Sequence, residues 1–362
     1  MKYFLLRFIA LFQVSGYILI TSFAIAMIWA NLSDTYFLVF HNKYIHFSIN
    51  EILMTLFFFL VGLEIKRELL IGHLNSFKKA LLPAILATFG AIAPAFIFII
   101  LNYDDPITIK GWGIPMATDI AFAFLIISLA KVPYSIKITL LSIAIVDDII
   151  AVMVIGLFYT KGLNINYILF IFIIGLVLAI IYKKFYRDWI IILAFPIVWF
   201  IFYKSGIHPV ISGVFLSFFV KLDRIERWED SLDNYVNLII LPIFVLANSG
   251  IEIHSFNFSG IYSDLGKGII LGLFFGKQIG ITLSAFIFQK LKIVEFPEGV
   301  KIFEIWAMSI ICAIGFTMSI FISELAFSNN KELLETAKMS IFIVSFFSAI
   351  FGLIVLKSRQ FF

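Results

Sequence analysis

The sequence predicts an all-α integral membrane protein: one membrane domain over residues 1–362, with about twelve transmembrane helices. Three observations carry that prediction. Of the 362 residues, 62% are hydrophobic and only 14% charged, and the mean hydropathy is +1.06; a soluble domain needs far more polar surface. Apolar runs recur from end to end, and many are long enough to cross roughly 30 Å of hydrocarbon. They do not alternate polar and apolar residues as barrel strands do, and lipid then leaves helices to satisfy the backbone.

In chain order, the first apolar segment, 13–30, follows Lys2 and Arg7. That resembles a signal peptide, but no clear small-residue cleavage site follows and further spans come soon after, so an uncleaved first helix is expected. Segments at 49–65 and 81–101 are plain apolar runs. The run at 113–130 contains Pro115 and Thr118, which point to an interruption. The next, 135–159, holds two adjacent aspartates. Then come 165–182, 189–203, 208–221 and 235–250, several of them short enough to suggest breaks, re-entry or tilt. Segment 264–289 carries a lysine at its centre, 305–327 is weakened by Gly315, Thr317 and Ser319, and 339–356 closes the series. The 44 phenylalanines suit lipid-facing helices, and the single Cys312, in an apolar run, excludes an internal disulfide.

Loop charges give an orientation. With both termini cytoplasmic, that side holds Lys2, Arg7, Lys66, Arg67, Lys78, Lys79, Lys131, Lys137, Lys183, Lys184, Arg187, Lys221, Arg224, Arg227, Lys290, Lys292, Lys301, Lys357 and Arg359. The other side keeps Lys43, Lys110, Lys161, Lys204, Lys267, Lys331 and Lys338. Nineteen against seven, with Lys277 inside a span, fits an even number of crossings with both ends inside.

A charge at the bilayer centre costs roughly 2.5–3.5 kcal/mol on insertion scales and is rare without a function. Asp119, Asp147 and Asp148 are such residues. Asp119 and Asp147 are 28 positions apart, and about ten residues of helix run from mid-bilayer to either face. Down one helix, through Lys131–Tyr134, and back up the next uses that length. Both aspartates then fall near the midplane of neighbouring antiparallel helices. Asp147 and Asp148 point roughly 100° apart, so one can face a cavity and the other a partner. The partner at hand is Lys277. For Asp119 alone, the capping of a broken helix explains the residue as well as ion chemistry does. Lys277 could also snorkel, although apolar residues extend far on both sides of it.

Buried carboxylates, a hydroxyl such as Thr118 and carbonyls freed by a break make an oxygen-rich pocket, which hard cations prefer. No cysteine or histidine spacing suits a softer metal. Sodium and a proton can compete for the same oxygens, and exchange needs no covalent step and no cofactor.

At these residues the sequence resembles the bacterial NhaA family of sodium/proton antiporters. The matching stretches are Phe57–Glu68, Gly111–Phe124, Ala144–Asp148, Gly276-Lys277 and Gly315–Ile320, with Leu241–Phe244 and Ala247–Gly250. The resemblance implies inverted-topology repeats and two discontinuous helices, the fourth and eleventh, crossing at mid-membrane. It makes Asp148 the essential cation and proton carboxylate, with Asp147 beside it as second sodium ligand. Lys277 compensates these charges, and Asp119 and Thr118 support the site at the crossing. It further implies electrogenic exchange of more than one proton per sodium, acceptance of lithium, and a role in pH and sodium homeostasis. Glu64, Lys66, Arg67, Glu68, Glu229 and His208 match its pH-response positions. The implied partners are sodium, lithium, protons, membrane lipid and a second copy of the chain, with no nucleic acid. The implied place is the bacterial inner membrane. Two departures bear on the pH response: Asn50-Glu51-Ile52 stands for the family's Asn-Asp-Gly, and Asp233 stands where some members carry histidine. Ordinary charged helix ends explain the pH-response positions equally well.

Other classes fit less. An intramembrane aspartyl protease would need a Gly-x-Gly-Asp signature and leaves Lys277 without a role. A channel would show a repeated filter motif. A sodium- or proton-coupled solute symporter is the nearest rival, and a flux assay without organic solute separates it.

Overall fold

The computed structural model describes residues 2–130, 132–160, 162–185 and 187–358, with side chains not described for 2–10, 183 and 184. The side chains of seven basic residues of the orientation argument, Lys2, Arg7, Lys131, Lys161, Lys183, Lys184 and Arg359, therefore lie outside what is described.

The described chain is all-helical. Besides short helical pieces at Thr35–Phe40, Thr108–Met116 and Phe258–Tyr262, its helices are α1 (Lys2–Leu32), α2 (Lys43–Leu70), α3 (Phe77–Asn102), α4 (Ile120–Leu129), α5 (Tyr134–Phe158), α6 (Ile165–Phe185), α7 (Asp188–Ser205), α8 (Ile211–Ser217), α9 (Leu222–Asn248), α10 (Asp264–Lys290), α11 (Ile302–Cys312), α12 (Phe316–Phe327) and α13 (Lys331–Ser358). Among the described residues nine helices are long and apolar enough to cross a membrane, and two bent pairs raise the number to eleven. One bent pair is the tight helix Thr108–Met116 with α4, at 40°; the other is α11 with α12, at 48°.

The expected segment 208–221 gives only the seven-residue α8 between turns, about 10 Å of helix, too short to cross on its own. It stays inside because α2 covers it. A side chain at Gly213 would strike the Thr55 carbonyl and the Phe59 amide, and one at Gly62 would strike Ser217. The two backbones touch. Helices α3 and α10 meet as closely. Gly272, Gly276 and Gly280 face α3, where a Cβ on Gly276 would come within 2.6 Å of the Pro94 backbone and one on Gly280 would strike the Phe89 carbonyl. Small residues every fourth position let helices approach where lipid offers no hydrophobic drive.

Three spans widen to a π turn, at Ser48–Leu53, Val236–Ile240 and Gly272–Gly276. Such turns re-aim the residues around them, here Asn50, Asn237 and Lys277.

Gly280→Val should push α10 off α3. We expect a loss of ~1–3 kcal/mol from overpacking, read as a lower melting temperature of the purified protein, with Gly156→Ala, which has room for a Cβ, unchanged.

Candidate ion site at the crossed helices

Each break strands backbone groups that lipid cannot satisfy. The first break is written in Pro115, which has no N–H to continue a helix. The second lies at Ala313–Gly315, where a Cβ on Gly315 would come within 3.1 Å of the Ala117 carbonyl. The two unwound stretches lie against each other and trade hydrogen bonds. The Asp119 amide donates to the Ile314 carbonyl at 2.7 Å. The Thr118 hydroxyl donates to the Cys312 carbonyl at 2.8 Å, and the Ser319 hydroxyl to the Ile114 carbonyl at 2.8 Å.

Asp119 joins the two half-helices that begin here. One carboxylate oxygen caps α4 by accepting from the Phe122 amide at 3.0 Å. The other accepts from the Thr317 amide at 3.0 Å and from the Thr317 hydroxyl. A single buried anion thus sits at the positive ends of α4 and α12, where helix dipoles favour negative charge. Capping and charge compensation are both present in this one side chain.

The aspartate pair on α5 divides as its spacing foretells. Asp147 and the Lys277 Nζ form an ion pair at 2.7 Å, both almost wholly buried. Asp148, 5% exposed, accepts no hydrogen bond and forms no ion pair among the described residues. It faces a small cavity of about 30 Å³ together with Asp119, Thr317, Asn237 and Glu64. That is room for about one water-sized occupant. Its remaining wall is apolar, with Phe12, Phe57, Leu60 and Met318.

The pH-response candidates fall in four places. Glu64 lies in the cavity wall and, among the described residues, forms no hydrogen bond or ion pair. One turn further along α2, Arg67 pairs with Glu229 at 2.9 Å and with Glu68 at 3.3 Å. Glu68 also accepts from the His73 amide at 2.8 Å. Lys66 turns aside and donates to the carbonyls of Phe218 and Val220, closing the turn after α8. His208 is elsewhere. It faces Glu51 at 3.4 Å across an open vestibule of about 710 Å³. Glu51 and Glu64 are 13 residues apart on α2, about 20 Å along its axis.

One expectation is corrected. Lys338 was placed in a loop, with Lys277 the only base inside a span. The structure buries Lys338 within α13, its Nζ 2.6 Å from Glu324 on α12. The cluster Lys331, Glu332, Glu335 and Lys338 reads as a solvated stretch, but only its first three positions precede the buried face. Sequence reasoning also missed the reciprocal amide pair Asn50–Asn248, at 2.9 and 3.3 Å. Asparagines inside spans were the available signal.

Two bent spans crossing at buried carboxylates, within a bundle of long apolar helices, have the architecture of secondary transporters with broken helices. Known proteins give the family. The chain matches the family described as Na+/H+ antiporter 1 over residues 6–356, and it belongs to that family. A Na(+)/H(+) antiporter NhaA of Salmonella arizonae is 39% identical over 98% of this chain and 97% of its own length. The protein of that name from Citrobacter koseri is 40% identical over 88% of this chain and 84% of its own. That of Pelagibacter ubique is 36% identical over 96% of each.

Lys277→Met should leave Asp147 buried and unpaired. We expect a loss of about 3–5 kcal/mol, and recovery of most of it in the double variant Lys277→Met, Asp147→Leu. Thermal melting in detergent measures both.

Proposed function

We propose that this protein exchanges sodium for protons across a bacterial inner membrane, with the two ions competing for Asp148. The observation that carries this is the division of the aspartate pair: Asp147 is neutralised by Lys277, while Asp148 is buried, unpartnered and open to a cavity of about one water's volume. A carboxylate in that setting must hold a cation or a proton to be stable. The cavity suits a dehydrated monovalent ion better than an organic solute, which favours an antiporter over a solute symporter. Membership of the Na+/H+ antiporter 1 family supports the same choice.

In the cycle we propose, sodium displaces the proton from Asp148 on one side, and a proton displaces sodium on the other. Asp147, Thr118 and Asp119 complete the oxygen set when Lys277 releases Asp147. A second proton-carrying group beside Asp148 would make exchange electrogenic, and the Lys277–Asp147 pair is placed for that role. Lithium, a smaller hard cation, fits the same oxygens. Access alternates by movement of the half-helices about the crossing, and no cofactor takes part. The charge bias of the loops supports cytoplasmic termini. That orientation puts Glu68, Arg67 and Glu229 at the inner end and the vestibule with Lys43 and Lys331 at the outer end. The assembly we expect is a homodimer in lipid.

Sodium-induced proton release from acidified everted vesicles tests the reading. Wild type should release protons, and Asp148→Asn, present at equal level, almost none. Release at full strength in Asp148→Asn would move the ion site elsewhere. No response of the wild type to sodium or lithium at any pH would remove the antiporter reading.

Competition also fixes a sign. Protons occupy the carboxylate more fully as pH falls, so the sodium concentration for half-maximal rate should rise on acidification. It should rise by about tenfold per pH unit where one proton competes. A pH-independent half-maximal concentration in a sodium titration would contradict direct competition.

A further inference from the structure

The outer vestibule holds an ion cluster that the exchange reaction does not use. Glu324 is two turns beyond Thr317 on α12, roughly 10 Å along the helix, and is 7% exposed. One of its oxygens meets the Lys338 Nζ of α13 at 2.6 Å. The other faces the His46 Nε2 of α2 at 3.5 Å. Half-helix α12 is therefore held at both ends by buried carboxylates: Asp119 at the crossing and Glu324 at the mouth.

His46 has two alternative partners. The Asn50 Nδ2 donates to its Nε2 at 3.0 Å. Asn50 is kept in that orientation by its reciprocal pair with Asn248 on α9. That bond needs a lone pair on Nε2 and so a neutral ring. A protonated ring carries a hydrogen on Nε2, cannot accept from Asn50, and has Glu324 as its acceptor. Protonation thus moves His46 from the α2–α9 amide pair to the α12 carboxylate.

We propose that Glu324 is a positioning residue for the exchange cycle, which rests on the antiporter reading above: with Lys338 it fixes the outer end of α12, and protonated His46 tightens that hold when the outer face is acid. The sign follows from charge. Neutral His46 leaves Glu324 with one cation, and charged His46 gives it two. The half-helix that must move to open the outer side is then clamped to α2 as well as α13, and outward opening slows.

The other charged groups of the vestibule are accounted for. Lys331 on α13 reaches Glu335 at 3.6 Å on the exposed face. Glu51 on α2 faces His208, ahead of α8, at 3.4 Å. Burial, then Lys331 and Lys338, push the His41 imidazole below its ordinary value, so it resists charging. Lys43 lines the same wall, as do Tyr159 and Tyr203. Among the described residues, the vestibule histidine seen in contact with Glu324 is His46.

Two readouts test this on the whole protein. The first is amide hydrogen exchange of α12, corrected for intrinsic rate, across the range in which histidines change charge, about pH 8 to about pH 5. Wild-type α12 should exchange about fivefold more slowly at the acid end, the low end for coupling between two groups. His46→Gln should show no such change. Because Glu324→Gln strands Lys338, the double variant Glu324→Gln, Lys338→Gln is used beside it, and it too should be flat. The second readout is sodium exchange in right-side-out vesicles at fixed interior pH. Outside acid should slow wild type more than His46→Gln. An equal pH response of α12 in wild type and His46→Gln overturns the proposal, and so does an altered α12 response with unchanged exchange rates. Absence of any exchange in the wild type would instead remove the antiporter reading, and the amide result would still decide whether His46 clamps α12.

Discussion

Everything at the centre of this protein follows from one constraint: broken helices in lipid must satisfy their ends from within. A break leaves N–H groups on one side and carbonyls on the other, and hydrocarbon offers neither donor nor acceptor. Here the two breaks solve the problem for each other. Asp119, Thr118, Thr317 and Ser319 carry the hydrogen bonds across the crossing, and Gly315 lets the strands come close enough to do so. Unwound backbone at mid-membrane is then stable, and it brings oxygen atoms where a continuous helix would present none.

That arrangement gives the neighbouring aspartates unequal settings. An anion is already committed at the crossing, because Asp119 answers two helix ends at once. Lys277 can therefore be spent on only one of the α5 carboxylates, and it takes Asp147. Asp148 is left beside Asp119 in a small cavity. Two buried carboxylates sharing a cavity, with no base between them among the described residues, cannot both stay buried without a proton or a cation beside them. The π turn immediately before Lys277 matters in this context, since a regular helix there would aim the lysine differently.

Much of this was legible in the sequence, and for physical reasons. Pro115 cannot continue a helix, and a charge at mid-span is too costly to be accidental; these two rules locate the first break and the α5 pair. Adjacency in a helix foretold that Asp147 and Asp148 would face different ways. What stayed hidden depends on which helix lies against which. A seven-residue α8 cannot be told from a short span until α2 is seen covering it. The π turns leave no pattern in hydropathy. Glu64 and His208 could be grouped by resemblance, but only the packing puts them at opposite ends of α2. Lys338 was mistaken for a loop residue because its charged neighbours are indeed exposed, and only its contact with Glu324 reveals a buried face.

The same logic connects the two ends of α12. A half-helix is short, about 18 Å for twelve residues, and although most of α12 is buried in the core, it has no continuing helix at the crossing to fix that end. What holds its two ends adds to that packing. At the crossing that hold is Asp119, which accepts from the Phe122 and Thr317 amides. At the mouth it is Glu324, whose grip includes a histidine that can change partners. A carrier needs one end of such an element to be a pivot and the other to be releasable. In the cycle proposed above, the crossing serves as the pivot, and the end that shares its charge with an imidazole is the one that can let go.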